Sequence, residues 1–248
     1  ILNKVKSGLV NAFGGRFYEV IIGGAAFNKD VEDFFKKIHF PFTVGYGMTE
    51  CGPIIAYDGW ETVKLYSCGK VAPNLEIRID SSDPENIPGE VMVRGENVFL
   101  GYYKNEDATK AVFTEDGWFK TGDMGVVDKD GYLFLKGRCK CMILGPSGQN
   151  IYPEEIETVL NSLSYVIDSL VIEDNGGLTA LIYPDFQLAE KDGMSAEQLQ
   201  ARIESLVKSA NDLLPNYAKV KTVEIMPEDF ERTPKKSIKR YLYQRNSK

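Results

Sequence analysis

The chain has 248 residues, 43% hydrophobic and 26% charged, the balance of a globular protein long enough for two domains or one large one. A net charge of −7 argues against nucleic-acid binding through broad phosphate neutralisation, although a basic run, Lys235-Lys236 through Lys239-Arg240, stands near the C-terminal end. No apolar run reaches the length of a membrane span, and one histidine with four cysteines at unpatterned spacings argues against a zinc site, a disulfide framework or a Ser-His-Asp triad.

In chain order, residues 1–60 read as α/β. The N-terminal Ile1-Leu2-Asn3-Lys4 lacks the apolar core of a signal peptide and reads as a start inside a longer protein. Phe17 to Ile22 is a β-rich run consistent with a buried strand. It ends at Gly23-Gly24-Ala25-Ala26, either an ordinary turn or a place where backbone amides face a flat ligand. Asn28 caps a helix, Lys29 to Ile38, with Val31, Phe34, Phe35 and Ile38 on one face. His39 reads as a helix-end residue. The strand Pro41-Phe42-Thr43-Val44 leads into Gly45-Tyr46-Gly47-Met48-Thr49-Glu50. There a hydroxyl and a carboxylate sit together on a backbone loosened by two glycines, a composition suited to a phosphate and its Mg²⁺, or to a plain turn. Strand-loop-helix-strand-loop is the pattern whose ligands bind at the carboxyl ends of strands.

Residues 61–137 change character. Val71 to Ile79 and Gly89 to Arg94 alternate with period two, and Val126-Val127 and Tyr132 to Leu135 flank the hairpin signal Asp128-Lys129-Asp130-Gly131. Many short strands predict a small antiparallel barrel or sandwich, with a helical insertion over Asp107 to Phe113. Within it, Thr121-Gly122-Asp123 offers an aspartate able to accept two hydrogen bonds from a sugar diol, or ordinary turn chemistry. Lys136-Gly137-Arg138-Cys139-Lys140 reads as an exposed polar hinge.

Residues 138–248 read as a compact α+β domain. Pro153 opens a helix with Ile156, Val159, Leu160 and Leu163 inward. Strands over Val166 to Ile172 and Leu178 to Tyr183 are joined through Asn175-Gly176-Gly177. Ser195 opens a long helix in a Ser-x-x-Gln capping box, with Leu199, Ile203, Leu206, Ala210 and Leu213 inward. Lys219 to Ile225 is a last strand.

Four segments in this order, Gly23-Gly24-Ala25, Tyr46-Gly47-Met48-Thr49-Glu50, Thr121-Gly122-Asp123, and Gly137-Arg138 before Ile151-Tyr152-Pro153-Glu154-Glu155-Ile156-Glu157, resemble the adenylate-forming superfamily. That group holds acyl-CoA synthetases, luciferases and peptide-synthetase adenylation domains. The resemblance runs from about Gly23 to Arg240 and implies an incomplete acetyl-CoA synthetase-like fold, with α/β (1–60), barrel-like (61–137) and mobile α+β (138–248) parts. It implies a ligase that activates a carboxylate with ATP, releasing pyrophosphate, and then passes the acyl group to coenzyme A, releasing AMP. Mg²⁺ is implied as the companion of ATP.

Carried over residue by residue, Gly24 and Ala25 line the adenine pocket and Tyr46 packs on the base. Gly47 and Met48 form the nucleotide-binding loop, Thr49 bonds the α-phosphate and Glu50 holds Mg²⁺. Asp123 takes the ribose hydroxyls and Arg138 the ribose or phosphate. Cys141 stands at the family's hinge, where Asp or Lys is usual, and Gly148 at the pantetheine channel. The family's Ser/Thr/Gly-rich phosphate loop is nowhere in the chain, so the sequence reads as the C-terminal part of a larger synthetase, inactive alone. The family tail, Thr-Pro-x-Gly-Lys-(Ile/Leu)-x-Arg, aligns with Thr233-Pro234-Lys235-Lys236-Ser237-Ile238-Lys239-Arg240, but Ser237 fills the lysine slot. Lys236 either substitutes for that catalytic lysine or is a solvated surface residue.

The loop Leu144 to Asn150 and the Lys-Arg after Ile238 look most like long-chain fatty acid–CoA ligases. The rivals are an adenylation domain that loads a carrier protein and a nucleotide-binding remnant that does no chemistry. The reading expects small-molecule partners only, a cytoplasmic setting and no transmembrane segment. Peripheral membrane contact and oligomeric state stay open.

Overall fold

A computed structural model describes residues 1–234 and 236–245; Lys235 of the basic run lies outside them. The chain divides into two compact units, Ile1–Lys140 and a second that starts at Cys141.

The first unit begins with helix α1 (Leu2–Ala12), which has no fully buried residue and contributes only Leu9 and Val10 to the packing behind it. Strand β1 (Val20–Ile22), helix α2 (Lys29–Lys37) and strand β2 (Phe42–Val44) form a β-α-β unit, with Val20 opposite Phe42 in a parallel pair. Asn28 caps α2 by accepting from the Val31 amide at 3.1 Å, and His39, at φ 53°, follows the helix end. The core here is aromatic: Phe40 and Phe42 are buried, and Phe35 packs on them at 4.7 and 5.3 Å between ring centres. Two expectations are corrected. The strand does not start at Phe17, whose ring joins the aromatic core, and Ile21 is 56% exposed because only one face of this two-stranded pair is covered. Val31 and Phe34 are also exposed; the inward face of α2 runs through Phe35 and the buried Glu32, which accepts from the Tyr66 amide at 2.6 Å. Burial pushes the Glu32 carboxyl above the usual range.

Strands β3 (Tyr46–Gly47), β4 (Ile54–Tyr57) and β5 (Lys70–Val71) form one antiparallel sheet. Strands β6 (Leu75–Asp80) and β7 (Gly89–Gly95) continue, after helix α3 (Glu106–Val112), into β8 (Phe119–Val127) and β9 (Leu133–Arg138), a four-stranded antiparallel sheet. Both sheets contribute buried residues, among them Ile55, Leu75, Val91, Val93, Phe119 and Leu133, to one shared core. Among the described residues they do not close into a barrel. The Lys70–Tyr132 bridge and the bonds of Cys68 and Gly69 to Leu133 link them without a continuous ladder.

In the second unit, β10 (Ile143–Leu144) and β11 (Asn150–Ile151) make a short hairpin ahead of helix α4 (Pro153–Leu160). Strand β12 (Val166–Asp174) pairs antiparallel with β13 (Gly177–Pro184). After helices α5 (Phe186–Lys191) and α6 (Ala196–Ala210), β14 (Val220–Ile225) adds to β13 in parallel. Period two divides the sheet: Val171, Ala180 and Ile182 face a core with Ile156, Leu160, Leu199 and Ile203, while Leu170, Ile172 and Leu181 face Phe230, Ile238 and Tyr243 of the tail. The Ser195–Gln198 capping box is present. Val207 rather than Leu206 is fully buried, and Leu213 is 78% exposed because α6 ends at Ala210.

Candidate functional site

The carboxyl ends of β1 and β2 lie side by side, and the Gly45 amide donates to the Ile22 carbonyl at 2.9 Å. That register sets the exposed turn holding Gly24 and Ala25 against the start of the Tyr46–Glu50 loop. A Cβ on Gly23 would stand 3.2 Å from the Gly45 carbonyl oxygen. Gly24 takes φ 89° with open space beside it. The turn can therefore present bare backbone to a flat group.

At Gly47 the backbone leaves no room for a side chain, since a Cβ would fall 2.0 Å from the Pro53 carbonyl oxygen. The chain turns back on itself there: the Met48 amide donates to that same oxygen at 2.8 Å, and Thr49–Cys51 makes one tight helical turn. Thr49 is left exposed and Glu50 half-buried at its start.

Asp123 is delivered by a bulge. Glu90 and Met92 of β7 oppose Met124 and Lys120 of β8, so Thr121-Gly122-Asp123 is looped out of the β7–β8 pairing. Gly122 sits there at φ 73°. Glu90 accepts from the Gly122 amide at 3.1 Å, and the Thr121 hydroxyl donates to the Val91 carbonyl at 2.8 Å. Arg138 stands directly opposite Asp123 on β9 and donates to Oδ1 at 2.7 Å, with over half its side chain exposed. The Tyr46 hydroxyl donates to Oδ2 at 2.5 Å. Burial first, then the Asp123 charge, pushes the Tyr46 phenol far up, so it is a neutral donor. Tyr46, Asp123 and Arg138 thus form one hydrogen-bonded row across three strands.

The structure joins Tyr46, Asp123 and Arg138 by hydrogen bonds, and Gly24, Ala25, Gly47, Met48, Thr49 and Glu50 lie with them in the first unit. Cys141, Gly148 and Lys236 belong to the second. Cys141 opens that unit; burial and then Glu154 push its thiol up to about 11, so it stays protonated at neutral pH. Gly148 lies at φ 82° in the turn of the β10–β11 hairpin. Lys236 is exposed at φ 62° in a tail hairpin, where Arg232 bridges Ile238 and the Lys236 amide donates to the Thr233 carbonyl at 2.8 Å. The tail is held by Arg232, which bonds Asp168 at 2.6 Å, and by Arg240, which bonds the buried Glu157.

Sequence reasoning missed the loop that braces Glu50. Asn97 donates to the Cys51 carbonyl at 2.6 Å, the Phe99 amide to the Glu50 carbonyl at 2.7 Å, and the Tyr102 hydroxyl to Glu50 Oε1 at 3.1 Å. The only local signal was Gly101 ahead of two tyrosines. The described residues hold no cluster of three or more metal-ligating side chains. A single carboxylate fits Mg²⁺, which is commonly held by one or two carboxylates with phosphates and water completing its shell.

Residues 5–103 match the AMP-binding enzyme family and residues 142–246 the AMP-binding enzyme C-terminal domain. The long-chain-fatty-acid–CoA ligase FadD15 of Mycobacterium bovis is 32% identical over 92% of the chain and 40% of its own length. The probable 4-coumarate–CoA ligase 2 of Dictyostelium discoideum is 38% identical over 67% of the chain and 32% of its own. Among solved structures, O-succinylbenzoate coenzyme A synthetase (MenE) of Bacillus subtilis with ATP and magnesium superposes at a TM-score of 0.75. It is 26% identical over 94% of this chain and 49% of that one. The chain thus spans less than half the length of each. No described helix is long and apolar enough to cross a membrane.

Proposed function

The chain belongs to the adenylate-forming, AMP-binding enzyme family, and from that premise we propose that it supplies the nucleotide-holding wall and the C-terminal domain of an AMP-forming acid–thiol ligase. The observation that carries the reading is the Tyr46–Asp123–Arg138 row beside the Thr49-Glu50 turn. In it Asp123 presents a carboxylate to the ribose hydroxyls, Gly24 and Ala25 bare backbone to the adenine edge, and Tyr46 a ring fixed through its hydroxyl. Thr49 donates to the α-phosphate, where charge builds as the acid's carboxylate attacks, and Arg138 offers a cation to ribose or phosphate. Glu50 would hold Mg²⁺, which when bound offsets phosphate charge. The same site then releases AMP as coenzyme A thiol takes the acyl group. Cys141 serves as the hinge position between the two half-reactions, and Gly148 borders the thiol's channel.

A long-chain fatty acid is the acyl substrate this reading favours, supported by the likeness to FadD15. An aromatic acid is the second reading, supported by the higher identity to the 4-coumarate ligase over a shorter span. We place the reaction in the cytoplasm, with small molecules as its partners. The test is acid-dependent exchange of pyrophosphate into ATP by the full-length protein, with fatty acids of graded length set against 4-coumarate. Exchange driven by long-chain acids, with Asp123→Ala raising the KM for ATP about tenfold or more, is expected. Exchange driven only by the aromatic acid refutes the substrate, and none with either refutes the ligase. This 248-residue chain by itself is expected to make no acyl-adenylate; exchange by it would overturn that.

A further inference from the structure

Glu50 is the one carboxylate available to the metal in the reading above, so what fixes its rotamer decides how well it binds. Its side chain accepts from a neutral phenol, Tyr102, at Oε1, and among the described residues no salt bridge engages it. A lysine or arginine at that spot would compete with a cation by charge; a phenol orients the carboxylate while leaving its charge and its other oxygen for a hard cation.

Tyr102 is itself held by contacts that do not use the Glu50 side chain. Its ring packs edge-on against Phe99 at 4.8 Å between centroids. Its amide donates to Thr109 Oγ1 at 2.9 Å, and that hydroxyl donates onward to the carbonyl of Asn105, the N-cap of α3. Gly101 permits this approach: it takes φ 144°, and a Cβ there would stand 2.6 Å from the Thr109 side chain. The backbone and ring of Tyr102 are thus positioned without the carboxylate.

We propose that Tyr102 is a positioning residue that sets the Glu50 carboxylate for a divalent cation bound with the nucleotide. The proposal rests on the assignment of Glu50 as metal holder. Tyr102→Phe keeps the ring and its packing and removes only the donor, so the fold and its thermal midpoint stay unchanged. In the full-length protein, Mn²⁺ binding in the presence of ATP is followed by water-proton relaxation. Tyr102→Phe weakens it about tenfold, in the range seen when a partner of a metal ligand is removed. Tyr103→Phe, one residue on and 87% exposed, leaves it unchanged. In a Glu50→Gln background, Tyr102→Phe has no further effect. Equal Mn²⁺ affinity in Tyr102→Phe and parent overturns the proposal, as does an equal loss in the Glu50→Gln background, or a parent that retains no Mn²⁺ with ATP. If Mn²⁺ binding depends on Tyr102 as expected yet no carboxylic acid drives pyrophosphate release, the proposal holds and the ligase reading falls.

Discussion

Tyr46, with its raised phenol, and Lys236, with its left-handed backbone, each depart from ordinary side-chain or backbone behaviour. Tyr46 is kept neutral, its phenol raised well above 10.0 by burial and then by Asp123. A tyrosine raised in the folded state contributes stability that is fully present below its unfolded value and is lost as pH rises through the folded value. Tyr46→Phe is therefore expected to cost about 1.5–3 kcal/mol at neutral pH, because the buried Asp123 carboxylate loses a donor. The variant's thermal midpoint should also fall less steeply than the parent's between pH 10 and about pH 11. Equal slopes would remove Tyr46 as the source. Lys236, at φ 62°, occupies the position that a glycine holds in the family's tail pattern, which supports alignment in register with Ser237 in the lysine slot. A left-handed lysine is strained by about 1–2 kcal/mol, and glycine's extra unfolded freedom returns roughly half. Lys236→Gly should thus raise the midpoint of chemical unfolding slightly. If the in-register alignment is right, Ser237→Lys in the full-length protein raises the rate of acid-dependent pyrophosphate release, and no change argues for the shifted lysine.

At the scale of elements, two joints carry consequences. The Tyr46–Tyr57 hairpin closes only because Gly47 has no side chain; Gly47→Ala forces backbone against Pro53 and is expected to destabilise the first unit by about 3 kcal/mol. In the second unit Arg240 neutralises Glu157, whose carboxyl burial drives upward against that attraction and which also accepts from the Val171 amide at 2.7 Å. Arg240→Ala strands a buried carboxylate and should lower stability by about 3–5 kcal/mol in urea unfolding, whereas Glu157→Gln, which keeps hydrogen bonding without the charge, should cost less. Caps and periodicity made the strands and helices legible from sequence, as Asn28, Pro153 and the Ser195 box attest. The Asp123 bulge was not legible: it depends on the register of β8 against β7, which no single strand encodes. Nor was the bond from Tyr102 to Glu50, because the two lie 52 positions apart and meet only through tertiary packing. The Glu32 anchor escaped for the same reason, a charged residue hidden on a helix face that composition assigns to solvent.

At the scale of the whole molecule, each unit encloses its own cores, so each is expected to fold without the other. Residues 141–248 expressed alone should unfold in one cooperative thermal transition with dispersed amide signals; a broad transition and collapsed spectra would tie that unit's stability to the first. Its sheet has one further property. Leu170, Ile172 and Leu181 are covered by Phe230, Ile238 and Tyr243, which follow β14 in the chain. During synthesis that face stays bare until Phe230 to Tyr243 have left the ribosome. The hairpin bearing Lys236 is therefore also a seal, and a message truncated soon after Ile225 is expected to yield a product that aggregates or is degraded rather than one that merely lacks turnover.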